Sequence, residues 1–214
     1  MHFLPQDIDD YTIAHSEQEP DILFDLQRET WQKILNPRMV SGAYQGRVLS
    51  MLSKLMRPHY ILEIGTYTGY SALCLAEGLA PGGKLITLDV NEEIQWLAQK
   101  YFDKSDFKDQ IESRIGNALE LIPELDQGID LVFIDADKEN YQAYFDLVVP
   151  MMNKGGVILS DNVLWSGKVV EQLDPKDKST KALLDYNRKI VEDPRVETVL
   201  LPIRDGLTLS RTVS

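Results

Sequence analysis

Apolar runs rich in Ile, Val and Leu alternate along the chain with longer stretches of helical period, the pattern of a parallel sheet and its crossover helices. Two helical stretches come first. Residues 21–35 carry Phe24, Trp31, Ile34 and Leu35 at helical spacing, and residues 45–56 set Val48, Met51, Leu52 and Leu55 on one face, faces expected to turn inward. Asn36-Pro37 breaks the chain between them. The pattern then predicts strands over Tyr60–Ile64, Lys84–Asp89, Ile111–Ile115, 130–135 and 156–161, with helices near 71–79, 92–102 and 140–149. Five strands in βα alternation make an open, doubly wound sheet. Beyond them the pattern predicts a long loop over 163–178, a helix over 179–192, and strands over Val196–Leu201 and 207–211. Only Pro202-Ile-Arg-Asp-Gly206 separates the last two strands. That is too short for a helical crossover, so they run antiparallel to each other. No domain boundary is needed: residues 1–57 supply helices ahead of a core over 58–214.

Composition narrows the class. A chain of 214 residues, 43% hydrophobic, suits one globular domain. The formal net charge of −12 repels polyphosphates at long range and argues against a nucleic-acid partner. No apolar run reaches the roughly 18 residues of a membrane span, and MHFLPQDIDD lacks the basic start and apolar stretch of a signal peptide. We therefore expect a cytoplasmic chain with no membrane partner. The lone Cys74, inside SALCLAEGL, reads as a small buried hydrophobe. His2, His15 and His59 are isolated, with no metal-ligand spacing.

The ligands of open α/β sheets bind at the carboxyl ends of the strands, and there the chain places Ile64-Gly65, Asp89, Asp135 and Asp161, with Gly116-Asn117-Ala118 after the third strand. The first strand runs into Glu63-Ile-Gly65-Thr-Tyr-Thr-Gly69-Tyr-Ser71. This glycine turn opens a helix and either lets a ligand approach the backbone or serves as a tight structural turn. Its G-x-x-x-G spacing is not that of dinucleotide enzymes or of a P-loop, which disfavours a dehydrogenase. Asp89 is placed either to accept the hydroxyl protons of a ribose or to cap the helix beginning near Asn91. Together, turn and carboxylate favour a nucleoside-containing cofactor. Asp135, Asp161 and the amide oxygen of Asn162 form an all-oxygen set suited to Mg²⁺, Ca²⁺ or Mn²⁺; the competing reading is N-capping of the helices that follow. Lys138 is either a surface lysine or, beside a dication, a base whose pKa is pushed down by like charge. Trp165 either walls an aromatic pocket or is buried to anchor its loop. The run Asp174-Pro-Lys-Asp-Lys178 reads as solvated loop.

The stretches Pro37-Arg-Met39-Val-Ser41, Gly46-Arg-Val-Leu-Ser-Met-Leu, Leu62-Glu-Ile-Gly-Thr-Tyr-Thr-Gly-Tyr-Ser71, Phe133-Ile-Asp-Ala-Asp-Lys-Glu-Asn-Tyr141, Asp161-Asn-Val-Leu-Trp-Ser-Gly167 and Leu201-Pro-Ile-Arg-Asp-Gly206 resemble the cation-dependent O-methyltransferases that include the caffeoyl-CoA and catechol enzymes. The resemblance spans residues 38–212 and is closest to the caffeoyl-CoA branch with its bacterial members. It implies a Rossmann-like class I fold whose seven-stranded, mostly parallel sheet ends in an antiparallel strand. It implies that S-adenosylmethionine is lined by Glu63, Gly65, Thr66 and Ser71, closed off by Met39 and Ser41, held at its ribose by Asp89, met at its adenine by Ala118 and bound at its methionine end by Asp137. It further implies a divalent cation, Mg²⁺ first, on Asp135, Asp161 and Asn162, with Lys138 as general base, a catechol-like small-molecule substrate and a homodimer. Some bacterial relatives instead methylate a hydroxylated uridine of tRNA. Two positions depart from the plant enzymes: the segment 169–181 is shorter, and Arg204 stands where Gly is usual.

Overall fold

The computed structural model describes residues 5–213; His2 lies outside them. They form two units, Gln6–Asn117 and, with Pro5, residues 118–213. In the first unit the strands β1 (Tyr60–Ile64), β2 (Lys84–Asp89) and β3 (Ile111–Ile115) coincide with the apolar runs. They pair in parallel, with β2 between the other two (Leu62 opposite Ile86, Leu85 opposite Ile111). All five residues of β1 are buried, as expected where both faces of a parallel sheet are covered. Five helices accompany them: α1 (Gln6–Ala14), α2 (Asp21–Lys33), α3 (Gly42–Met56), α4 (Tyr70–Ala76) and α5 (Glu92–Lys104). Unforeseen α1 buries no residue and so has no apolar stripe to betray it. Helix α2 begins directly after Pro20 and stops where Ile34 turns extended (φ −108°, ψ 139°), just before the break at Asn36-Pro37.

The inward faces of α2 and α3 correct the expectation from the sequence. On α2 the buried residues are Leu23, Leu26 and Thr30, whereas Phe24, Trp31 and Leu35 point to solvent. On α3 they are Gln45, Gly46, Leu49, Ser50 and Ser53, whereas Met51 (56% exposed) and Leu55 (75%) face out. On α3 the cause is close approach. A Cβ at Gly46 would fall 2.7 Å from the Tyr70 ring, and one at Gly78 only 2.2 Å from the Ser53 backbone. Only small residues fit such a seam, and hydroxyls satisfy it: Ser53 Oγ donates to Leu75 O (2.6 Å) and Ser50 Oγ to Glu77 Oε2 (2.7 Å). Cys74 is fully buried there, as expected, and burial pushes its thiol up, outweighing the nearby Arg47 guanidinium.

The second unit comprises α6 (Ala118–Leu121), β4 (Ile129–Ile134), α7 (Tyr141–Val148), β5 (Met152–Asp161), α8 (Lys178–Glu192), β6 (Val196–Leu201) and β7 (Leu207–Thr212). β5 pairs in parallel with β4 and antiparallel with β7, which pairs antiparallel with β6. β4 ends one residue earlier than the pattern indicated, so Asp135 is the first residue past the strand. The stretch read as an open loop contains a 3-10 turn, Trp165–Val170. Its charged end is not wholly solvated either, because Asp177 caps α8, accepting from Thr180 N (3.0 Å), and takes a hydrogen bond from Lys168 Nζ (2.8 Å). The seven strands follow the order β3-β2-β1-β4-β5-β7-β6, with β7 alone antiparallel to its neighbours. Among the described residues no helix is long and apolar enough to cross a membrane.

Candidate active site

In the first unit, the site residues gather on the turn between β1 and α4. Gly65 and Gly69 take φ of 105° and 86°, values open to glycine at little cost. Gly69 also has no room for a side chain, since a Cβ there would meet the Phe102 ring at 2.6 Å. Beneath the turn, Thr87 Oγ1 donates to Glu63 Oε2 (2.5 Å) and lies 2.5 Å from Thr66 Oγ1. Glu63, Thr66 and Thr87 are all buried, so Glu63 braces the turn from below. Asp89, at the end of β2, accepts from Tyr67 N through Oδ2 (2.7 Å) and from Asn91 N through Oδ1 (2.8 Å). The cap of α5 is Asn91, whose side chain accepts from Glu93 N (3.0 Å). The helix-capping reading of Asp89 is thereby removed; its carboxylate fixes the glycine turn and keeps lone pairs for a ligand. Ser71 is buried in the first turn of α4. Tyr67 Oη donates to Asn36 O (2.9 Å), which ties the turn to the segment carrying Met39 and Ser41. Met39 is exposed and Ser41 buried.

In the second unit the site residues meet around one nitrogen. Lys138 Nζ donates to Asp135 Oδ1 (3.1 Å), Asn162 Oδ1 (2.9 Å) and Tyr141 Oη (2.5 Å). Lys138 is only 8% exposed, so it is not the surface lysine of the competing reading. Asn162 reaches it from a left-handed backbone (φ 59°), a conformation Asn tolerates better than most residues. Asp161 is buried, and its Oδ1 accepts from Asn162 N (2.8 Å). Neither the turn at Lys138, nor α7, nor the 3-10 turn Trp165–Val170 has a side-chain N-cap bond, so Asp135 and Asn162 are not caps. Asp137 is held by Tyr144 Oη (2.6 Å) and Asn140 Nδ2 (2.5 Å). Burial first, and then this carboxylate, push the Tyr144 hydroxyl above its ordinary range. Ala118 is the buried first residue of α6. Trp165 is half-buried, its ring centroid 5.8 Å from Lys138 Nζ. It therefore lines the lysine's surroundings and is not the buried anchor that was the alternative.

Among the described residues no three His, Cys, Asp or Glu side chains converge as a metal cluster. Two oxygens of the expected set nevertheless lie within 3.1 Å of a single cationic nitrogen. A carboxylate and an amide oxygen so directed fit a hard divalent cation, with Asp161 adjoining. The sequence reading assigned no role to Tyr141 or Tyr144. Their signal is spacing: Tyr141 follows Lys138 by three residues and Tyr144 follows Asp137 by seven, so that each falls back on the same helical face as its partner.

A seven-stranded sheet in this order, with only β7 reversed, carrying a glycine turn and an acidic residue ending β2, is the class I methyltransferase plan. Residues 13–213 match the O-methyltransferase family, and the chain belongs to it. Caffeoyl-CoA O-methyltransferase 2 of Eucalyptus globulus is 36% identical over 208 residues, 92% of this chain and 84% of that protein. The O-methyltransferase of Bacillus cereus, solved with S-adenosylhomocysteine, superposes with a TM-score of 0.88 at 28% identity, covering 96% of this chain and 97% of that one. TomG of Streptomyces achromogenes, an O-methyltransferase of tomaymycin synthesis solved with S-adenosylmethionine, gives 0.87 at 26% identity, with 97% and 96% covered. The chain is thus an O-methyltransferase of the caffeoyl-CoA type, a class whose methyl donor is S-adenosylmethionine.

Proposed function

We propose that the enzyme methylates one hydroxyl of a catechol-like small molecule in a reaction that requires a divalent cation, Mg²⁺ before Mn²⁺ or Ca²⁺. The observation carrying this reading is the convergence of Asp135 Oδ1 and Asn162 Oδ1 on the Lys138 nitrogen, beside the half-buried Trp165. A phenol with a pKa near 10 is ionised in only about one molecule in a thousand at pH 7. Bound at Asp135, Asp161 and Asn162, the cation supplies Lewis-acid stabilisation of the acceptor oxygen. With the cation bound, Lys138 would first release one ammonium proton to solvent, and its neutral amine would then take the phenolic proton. Trp165 offers its face to the acceptor's ring. S-adenosylmethionine supplies the methyl group; Glu63, Gly65, Thr66 and Ser71 line it, Asp89 holds its ribose, Ala118 meets the adenine and Asp137 binds the methionine end. Residues 1–57 cover the cofactor through Met39 and Ser41, a role supported by the hydrogen bond from Tyr67 Oη to Asn36 O. Two copies of the chain join through the outward apolar residues of α2 and α3, Trp31, Met51 and Leu55 among them. The enzyme works in the cytoplasm, without a nucleic-acid partner.

The test is transfer from labelled S-adenosylmethionine to simple catechols, caffeoyl-CoA and total tRNA, each with Mg²⁺ and with EDTA. Catechols are expected to be labelled only with Mg²⁺, and Asp135→Ala to lose at least about 100-fold in turnover while still binding S-adenosylmethionine. Equal turnover in EDTA or in that variant refutes the cation requirement. Labelling of tRNA alone moves the function to RNA modification.

A further inference from the structure

Lys138 is held by a group that neither the cation nor the cofactor requires. Tyr141 is fully buried, and its hydroxyl joins three things: it accepts from Lys138 Nζ at 2.5 Å, donates to Asp161 O at 2.9 Å, and lies 3.3 Å from Ile134 O. Ile134 and Asp161 are the last residues of β4 and β5. A phenol has one proton to give and lone pairs to receive. With its proton on Asp161 O, Oη can only accept from the lysine. The ring is fixed in turn by edge-on contact with Tyr186 at 5.5 Å. Lys138 has four flexible methylenes and three ammonium protons, and all three protons find acceptors: Asp135, Asn162 and Tyr141.

We propose that Tyr141 is the positioning residue of the reaction, anchoring the Lys138 amine to the ends of β4 and β5. Its kinetic consequence rests on the function proposed above; its structural consequence does not. A base displaced by an ångström loses much of its effect on rate while leaving cofactor binding alone. Removing the hydroxyl alone keeps the ring and its packing, so Tyr141→Phe isolates the anchor.

Two readouts test this on the full-length enzyme, with Tyr186→Phe as control. Tyr186 is equally buried, and its hydroxyl lies 2.6 Å from Ser160 Oγ, so losing it costs a buried hydrogen bond of the same kind without touching Lys138. The first readout, on enzyme with no divalent cation added, is the ¹H–¹⁵N signal of the Lys138 ammonium, assigned by its loss in Lys138→Gln. An ammonium with three acceptors and little solvent exchanges slowly, and its signal is expected in the wild type and in Tyr186→Phe but lost in Tyr141→Phe. The second is steady-state methylation of 3,4-dihydroxybenzoate with Mg²⁺, where Tyr141→Phe is expected to lose about 10-fold or more in kcat with the KM for S-adenosylmethionine within about twofold. A persisting ammonium signal in Tyr141→Phe, or a kcat matching that of Tyr186→Phe, overturns the proposal. If the wild type does not methylate this catechol with Mg²⁺, the catechol reading fails, and the ammonium signal alone decides whether Tyr141 anchors the lysine.

Discussion

Glu77 closes the seam between α3 and α4, and replacing it by Gln should expose what that seam is worth. Its carboxylate takes a two-pronged pair of bonds from Arg47 (3.0 and 2.6 Å), one from Lys54 Nζ (2.6 Å) and one from Ser50 Oγ (2.7 Å). Only 14% of the Glu77 side chain and 11% of the Arg47 side chain remain exposed. Burial by itself would raise the carboxyl's pKa, but the bonds from Arg47, Lys54 and Ser50 outweigh it and hold the group at about 2 instead of 4.5. Each tenfold change in proton affinity is worth about 1.4 kcal/mol, so the ionised form is favoured in the fold by about 3 kcal/mol. Gln keeps the shape and loses the charge, leaving Arg47 buried against a neutral partner. Glu77→Gln is therefore expected to unfold about 3 kcal/mol more easily at pH 7, a loss of about 6–12 °C in Tm for a chain of this size. The sign with pH follows from the direction of the shift. A carboxyl depressed in the folded state contributes fully above 4.5 and loses its contribution as pH falls through about 2. At pH 3 the gap between wild type and variant should shrink to about 1.4 kcal/mol. Urea titrations at both pH values, followed by circular dichroism, measure it. A gap below about 1 kcal/mol at pH 7, or one unchanged at pH 3, refutes the reasoning, because a merely steric defect does not depend on pH.

Gly69→Ala forces a side chain into a backbone with φ of 86° and against the Phe102 ring; it is expected to cost about 2–4 kcal/mol in urea titration and to weaken S-adenosylmethionine binding by calorimetry, and an unperturbed variant would show that the turn yields freely. Arg204 holds φ of 48° in the connection between β6 and β7, a backbone conformation that glycine adopts at little cost. Arg204→Gly should gain about 0.5–1 kcal/mol, the relief of left-handed strain less glycine's greater freedom when unfolded; a lower urea midpoint would contradict this.

What the sequence disclosed and what it hid divide along physical lines. β1, β2, β3 and β6 fall on their predicted residues; for β1 and β2 the reason is that buried parallel strands are written as largely apolar runs. Asp135, Lys138 and Asn162 were legible as strand-end chemistry, and the fold brings them together on one nitrogen. The inward face of α3 was misread for a definite reason. Hydrophobicity reports what is covered by something, not by what, and a seam as close as that at Gly46 and Gly78 demands small residues instead of large ones. Tyr141 was hidden because a buried tyrosine reads as core; its polar tip shows only when its hydrogen-bond partners are seen.

The left-handed residues after β5 bear on how this enzyme can change. Asn162, Trp165 and Ser166 hold φ of 59°, 48° and 57° within five positions, each disfavoured for a residue with a Cβ by about 1–2 kcal/mol, somewhat less for Asn. Glycine at any of them would relax the backbone, and laboratory selection for heat resistance alone would drift toward such replacements. At Asn162 and Trp165 the same replacements would remove the amide beside Lys138 or the indole beyond it. Thermal endurance and catalytic aim thus pull this short stretch in opposite directions, and variants selected for both should find their stabilising changes in other parts of the chain.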